Sequence, residues 1–324
     1  HLAAVLADLQ ARPQQAFNTL QALWAVDAAT LAYLDGFDAR AWFDEPVRTL
    51  LPGADDALLA RGEAAPTVDA FGRENGRQLL AGAPLVDALI AHATSFEPAP
   101  GTDLRAPVRA AEAALLEDAR AAAQLIGNQA LDFGKQDGVT EIEEALEANC
   151  VERALNDALL ADEAAGAVAV ARRPALVGCV SNFSNFLDLC RKALRNLELG
   201  VPVVVLSRSN TTQHTFRWTR LLQDALREAG GVDERMVAYA SCGIAEQRRL
   251  MAACAGGSPL YLTGSRAVAR AIMELMPATF ASTGGPNTMI ATRLTPAVAD
   301  AARVSALIEN SGQCTALRHL VAPE

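Results

Sequence analysis

Residues 201–229 read Val-Pro-Val-Val-Val-Leu-Ser-Arg-Ser-Asn-Thr-Thr-Gln-His-Thr-Phe-Arg-Trp-Thr-Arg-Leu-Leu-Gln-Asp-Ala-Leu-Arg-Glu-Ala, a short apolar β-branched run that gives way to an amphipathic stretch. The run Val201–Leu206 is continuously apolar, the pattern of a strand covered on both faces, and Thr215–Ala229 has helical periodicity. The same grammar repeats on both sides. Further runs are Ala175–Val180, Met236–Ala240, Pro259–Leu262 and Asn287–Ala291, with helical patterns at Leu187–Leu199, Ala245–Ala255 and Arg266–Met276. Strands alternating with helices predict an α/β fold, a Rossmann-like parallel sheet with flanking helices. Such a sheet offers a nucleotide crevice at the carboxyl ends of its strands. Neither G-x-G-x-x-G nor G-x-x-x-x-G-K-[ST] occurs, so a dinucleotide would need another way of gripping its phosphates.

Upstream the signals are helical. Leu2 to about Ala99 alternates helical patterns with breaks at Pro13, Pro46, Pro52-Gly53 and Pro84, and no strand pattern stands out. Glu97-Pro-Ala-Pro-Gly101 reads as a linker or sharp turn, Ala106–Gln129 as a long alanine-rich helix, and Thr140–Leu160 as a second helix. Thr140-Glu-Ile-Glu143 has the spacing of a capping box. The division expected is a helical N-terminal region over 1–105, a nucleotide-binding domain over 106–281, and over 282–324 the start of a second α/β catalytic domain. The start at His1, without Met, reads as a fragment boundary and not as a signal peptide.

Composition narrows the function classes. The 324 residues carry a formal charge of -10, and the 28 basic residues are scattered, which argues against nucleic acid as a partner. No apolar run approaches the roughly 18 to 20 residues that span a bilayer, so no membrane partner is expected. The six cysteines show no C-x-x-C pair or zinc-ligand spacing, and the four histidines sit in no H-E-x-x-H setting. A reduced compartment, cytoplasm or organelle matrix, and a site with no metal are the expectations.

Three collinear segments carry a family resemblance. Leu262-Thr-Gly-Ser265, continuing Arg-Ala-Val-Ala-Arg-Ala-Ile-Met, resembles the F-T-G-S-x-x-V-A/G-R segment of aldehyde dehydrogenases. Phe280-Ala-Ser-Thr-Gly-Gly-Pro-Asn-Thr-Met-Ile-Ala291 is similar to the E-T-G-G-x-N-x-M-I-V stretch of the pyrroline-5-carboxylate dehydrogenase branch. Asn310-Ser-Gly-Gln-Cys-Thr-Ala-Leu-Arg-His-Leu-Val321 resembles the G-Q-x-C-[ST]-A-L-R segment around the catalytic thiol. Weaker matches lie upstream: Val177–Val180 followed by Ser184-Asn-Phe186 resembles the strand and W-N-F loop, and Glu141-Ile-Glu-Glu-Ala145 the preceding helix. The resemblance covers roughly Val139 to Val321.

The resemblance implies an oxidoreductase that takes a small-molecule aldehyde, glutamate semialdehyde in that branch, uses NAD or NADP, and forms a homo-oligomer when complete. Cys314 would be the thiol nucleophile, with Asn185 and the Cys314 backbone N–H holding the oxyanion. Ser207 and Arg208 stand where the family usually places a lysine on the adenine ribose. Arg208 reads either as a contact to a 2′-phosphate or as a solvated surface arginine. Gly264 and Ser265 would meet the pyrophosphate, although Ser265 is equally an ordinary N-cap. Gly284-Gly285 reads as a close approach to nicotinamide or thiol, or as a plain tight turn.

Departures from the family pattern bear on activity. Ser282 replaces the glutamate that most hydrolytic members keep, and one residue is missing between Gln313 and Cys314. Family members also continue beyond the position of Glu324. Two alternatives to a hydrolytic dehydrogenase therefore stand: a coenzyme A-acylating aldehyde dehydrogenase, which needs no water-activating base, or a catalytically degenerate module serving packing or assembly.

Overall fold

A computed structural model describes residues 45–68, 72–98, 102–117, 152–178, 185–208, 212–285, 287–307 and 316–323, with backbone alone at 185–188 and 190. Helices are α1 (Asp56–Leu59), α2 (Ala83–Ser95), α3 (Arg105–Glu117), α4 (152–164), α5 (Asn185–Glu198), α6 (Thr212–Ala229), α7 (Ile244–Cys254), α8 (Arg266–Leu275) and α9 (Pro296–Leu307). Strands are β1 (Gly62–Val68), β2 (Glu74–Ala81), β3 (Ala175–Gly178), β4 (Val203–Leu206), β5 (Val237–Ala240), β6 (Leu260–Gly264), β7 (Thr279–Thr283), β8 (Thr288–Ile290) and β9 (His319–Val321). None of the helices among the described residues is long and apolar enough to cross a membrane.

The centre is a five-stranded parallel sheet in the order β5-β4-β3-β6-β7. Side chains alternate across it, as a strand period of two requires. Val203 and Val205 enter one core with Val177, Val237 and Tyr239, covered by Leu115 of α3, Leu194 of α5, and Phe216 and Trp218 of α6. Val204 and Leu206 enter the other with Leu176, Ala238 and Leu260, covered by Leu85 and Leu89 of α2 and by Leu250 and Met251 of α7. Every residue of β3, β4 and β5 is buried, which is why their sequences are apolar throughout.

Two expectations change. The segment read as free of strands holds the antiparallel hairpin β1–β2, paired from Gly62↔Ala81 to Val68↔Glu74. Nearly all of its residues are exposed or only half-buried, so no apolar alternation marks it, and Pro66 is tolerated because the strand is an outer one. Long-range bonds hold this region to the sheet. Leu50 N–H donates to the Tyr239 carbonyl (2.9 Å), Tyr239 N–H to that of Leu50 (2.8 Å), and Ala81 N–H to that of Ser241 (2.7 Å), covering the outer edge of β5. At Gly76, φ is +153°, and a Cβ would stand 2.4 Å from Gln213 Nε2, so only glycine lets the hairpin lie against α6.

The second correction concerns the fifth strand. The run Asn287–Ala291 forms β8, but β8 pairs with β9 in a separate two-stranded parallel sheet. The fifth strand of the main sheet is β7, Thr-Phe-Ala-Ser-Thr, exposed along nearly its whole length. An edge strand exposed on both faces needs no apolar run. Parts of the predicted helices over Ala106–Gln129 and Thr140–Leu160, including the capping box, lie outside the described residues.

Candidate functional site

Strand order reverses between β3 and β6: the chain moves outward through β4 and β5, then returns to the other side of β3. At such a reversal of strand order a crevice is expected at the carboxyl ends of the strands. A cleft of about 330 Å3 lies there, within the ~300–1,000 Å3 range of small-molecule sites. Gly178, Leu206 and Leu262 line it from the sheet, Ile244, Gln247, Arg248 and Met251 from α7, Val268, Ala271 and Ile272 from α8, and Ser207 and Arg208 from the loop after β4. Ile244 is 73% exposed and Val268 41% exposed, an apolar rim suited to a flat base.

The loop after β4 is fixed by hydrogen bonds. Ser207 N–H donates to the Ala240 carbonyl at 3.0 Å. Gln247 Nε2 donates to the carbonyls of Ser207 (2.8 Å) and Cys242 (3.0 Å), so one side chain clamps the loops after β4 and β5. The Thr212 hydroxyl donates to the Arg208 carbonyl. Arg208 is half-buried, and its Nη2 lies 3.8 Å from where a Cβ on Gly264 would be. Two residues singled out in the sequence thus meet beyond the end of β3.

Ser265 is the N-cap of α8, its Oγ accepting from Val268 N–H at 3.3 Å, and no acidic residue occupies the first turn. Capping uses only the acceptor side of the hydroxyl, so its O–H stays available to a phosphate beside the first-turn N–H groups, which lack intrahelical partners. The cap and the phosphate contact are compatible at this residue. Ser265→Ala is expected to cost about 1 kcal/mol of stability, read by urea unfolding; no change would show that the cap contributes nothing.

The end of β7 forms a second cluster. Ser282 and Thr283 are exposed and pair in register with Thr263 and Gly264. Gly284 and Gly285 follow, with nothing within 4 Å of a Cβ at Gly285, so no described neighbour requires glycine there. Asn287 then ties two parts of the chain. Its Nδ2 donates to the Ala316 carbonyl (3.0 Å), and its own carbonyl accepts from the N–H groups of Arg318 (3.0 Å) and His319 (3.1 Å). Leu317 N–H donates to the Ser305 carbonyl at 3.0 Å, adding a hold from α9.

Asn287 carried no role in the sequence reading. Its only signal was its place in Thr-Gly-Gly-Pro-Asn. Cys314 and the side chain of Asn185 lie outside the described residues; the Asn185 backbone begins α5. Two described cysteines are poor nucleophiles, because burial pushes the thiol of Cys242 up to about 12 and that of Cys254 up to about 11.

The fold is similar to that of solved aldehyde dehydrogenases. It is similar to the 1-pyrroline-5-carboxylate dehydrogenase of Thermus thermophilus, with 17% identity and a TM-score of 0.68 over 91% of this chain and 60% of that one. Proline utilization A of Bdellovibrio bacteriovorus gives 17% and 0.69 over 91% of this chain and 32% of its own. An aldehyde dehydrogenase of Bacillus cereus, solved as its NAD+ complex, gives 16% and 0.65 over 87% of this chain and 60% of that one. The chain therefore spans about 60% of the length of the two separate dehydrogenases. Its sequence matches no protein-family model and no curated protein.

Proposed function

We propose that this chain is the nucleotide-binding part of an NAD(P)-dependent aldehyde dehydrogenase, with glutamate semialdehyde, the substrate of a proline-catabolic step, as the leading candidate aldehyde. The observation that carries the reading is Asn287, which joins the Thr-Gly-Gly-Pro-Asn segment to Ala316-Leu-Arg318. Two of the three segments that resemble the dehydrogenases therefore meet beyond the carboxyl end of β7, in the sheet whose switch point holds the cleft. The residues around the cleft fit an adenine dinucleotide. Ile244 and Val268 offer apolar surface to the base, Ser207 and Arg208 stand by the ribose, and Gly264 and Ser265 receive the pyrophosphate at the start of α8.

In this reading the Cys314 thiolate adds to the aldehyde carbon, forming a C–S bond and a thiohemiacetal whose oxygen accepts hydrogen bonds from the Asn185 amide and the Cys314 N–H. The bound nicotinamide supplies the hydride acceptor. Loss of hydride leaves a thioester on Cys314, which an acyl acceptor then cleaves, restoring the thiol. Gly284 and Gly285 line the approach to the thiol. Assembly into a homo-oligomer and a reduced compartment complete the proposal.

Ser282 favours one variant of it. A hydroxyl at neutral pH is no match for a carboxylate as a proton acceptor, so coenzyme A is a better acyl acceptor here than unactivated water. Product analysis with and without coenzyme A separates the two.

Saturating NAD+ or NADP+, at about a hundred times the dissociation constant, is expected to add roughly 2.7 kcal/mol to stability. Iodoacetamide at pH 8 is expected to label Cys314 ahead of Cys242 and Cys254, read by peptide mass mapping. No stabilisation by either nucleotide, with no preferential labelling, would reduce the chain to a degenerate module with this fold.

A further inference from the structure

We infer that the cleft, taken as the nucleotide site proposed above, selects an adenosine ribose carrying a 2′-phosphate, the NADP class, over one with a free 2′-hydroxyl, and that Arg208 and Arg248 make the selection. The charge of the cleft wall carries this. Two arginines line it and, among the described residues, no Asp or Glu does. In doubly wound sheets an acidic residue following the second strand takes the ribose hydroxyls of NAD, whereas an arginine nearby accommodates the 2′-phosphate. Here the loop after β4, the second strand of the sheet in chain order, supplies Ser207 and Arg208.

The nearest carboxylate on α7 is committed elsewhere. Ile244, Gln247, Arg248 and Met251, spaced i, i+3, i+4 and i+7, form the stripe of α7 that lines the cleft. Glu246 belongs to another stripe: its Oε2 pairs with Arg249 Nη1 at 3.1 Å, and Arg249 also pairs with Asp87 of α2. Gln247 cannot stand in as a donor to the ribose, because its Nε2 serves the Ser207 and Cys242 carbonyls. A guanidinium has donors only, so it gains little from a hydroxyl, which donates as readily as it accepts. A phosphate offers several acceptor oxygens and full charge to the guanidinium fork. The Arg208 backbone is pinned by Thr212 and its guanidinium lies beside Gly264, so the cation is held at the switch point.

The test is calorimetric titration of the full chain with NADP+, NAD+, adenosine 2′,5′-bisphosphate and 5′-AMP, so the readout is binding and not turnover. NADP+ is expected to bind at least about tenfold tighter than NAD+, with a similar ratio for the bisphosphate over AMP, as charge-assisted bonds to a phosphate imply. Arg208→Gln is expected to cut that ratio to about threefold or less by weakening NADP+ and the bisphosphate more than NAD+ and AMP, and a wild-type urea-unfolding midpoint reports that the variant is folded. Arg248→Gln should lower the ratio in part. NAD+ binding as tightly as NADP+ overturns the inference and leaves the nucleotide site standing. Failure of all four ligands to bind overturns the site itself. An undiminished ratio in Arg208→Gln removes Arg208 from the assignment.

Discussion

Arg195→Met is expected to lower the unfolding free energy by about 3–5 kcal/mol, the usual cost of removing one partner from a buried ion cluster. Arg195 is 6% exposed on α5 and bridges two carboxylates. Its Nη2 donates to Glu112 of α3, which is 0% exposed, and its Nη1 to Glu198 at 3.0 Å, which is 1% exposed. Outer cations complete the cluster: Arg153 of α4 reaches Glu112 at 2.7 Å, and Arg109 of α3 reaches Glu198 at 2.7 Å and Asp157 of α4 at 2.9 Å. Asn156 Nδ2 adds a bond to Glu198 at 2.8 Å. Three helices are thereby fixed against one another on the α5 face of the sheet. Methionine fills much of the arginine stem but leaves two buried carboxylates short of a cation, and Glu112 Oε1 has no hydrogen-bond partner among the described residues even now. Urea unfolding measures the loss. The exposed pair Arg227–Asp224 provides the contrast, since Arg227→Ala should cost no more than about 0.5 kcal/mol. A loss under about 1 kcal/mol for Arg195→Met would mean that the cluster is solvated rather than sealed.

That cluster illustrates what a sequence hides. Arg195 and Glu112 are 83 positions apart, and nothing in either local pattern announces the pairing. The buried strands were legible for the opposite reason. Burial on both faces admits only apolar residues, so Val203-Val-Val-Leu206 could be little else. Where a strand is exposed the constraint vanishes, and both the β1–β2 hairpin and β7 escaped because exposed edges tolerate Pro, Ser and Thr. The site divides along the same line. Ser265 was legible because capping is local, a hydroxyl followed three residues later by the N–H it accepts. Arg208 was legible only as a position after a strand. Its approach to Gly264 depends on β3 lying between β4 and β6, which is topology rather than sequence. The Gln247 clamp spans 40 residues and the Asn287 tie 29, beyond any local periodicity.

If the chain carries the proposed aldehyde oxidation, Asn287→Ala is expected to lower it about a hundredfold while leaving nucleotide affinity intact, because a displacement near 1 Å of a reacting group costs on that order. Cys314 lies two residues before Ala316, and the Asn287 amide is a side-chain hold on the Ala316 carbonyl. The backbone bonds from Arg318 and His319 to the Asn287 carbonyl survive the substitution, so β8 and β9 stay paired and the global loss is about 1 kcal/mol, one hydrogen bond. The chain leading back to the thiol loses its nearest described anchor. The cleft between α7 and α8 shares no residue with this tie, which is why binding and turnover should separate. Single-turnover kinetics and the rate of Cys314 alkylation, measured beside calorimetric titration of NADP+, make the comparison. A fall in turnover and alkylation at constant nucleotide affinity supports Asn287 as the positioning residue for the segment that bears Cys314. Wild-type alkylation and turnover in the folded variant would show that Asn287 does not position Cys314, and an equal fall in nucleotide affinity would place the effect in the sheet rather than at the thiol.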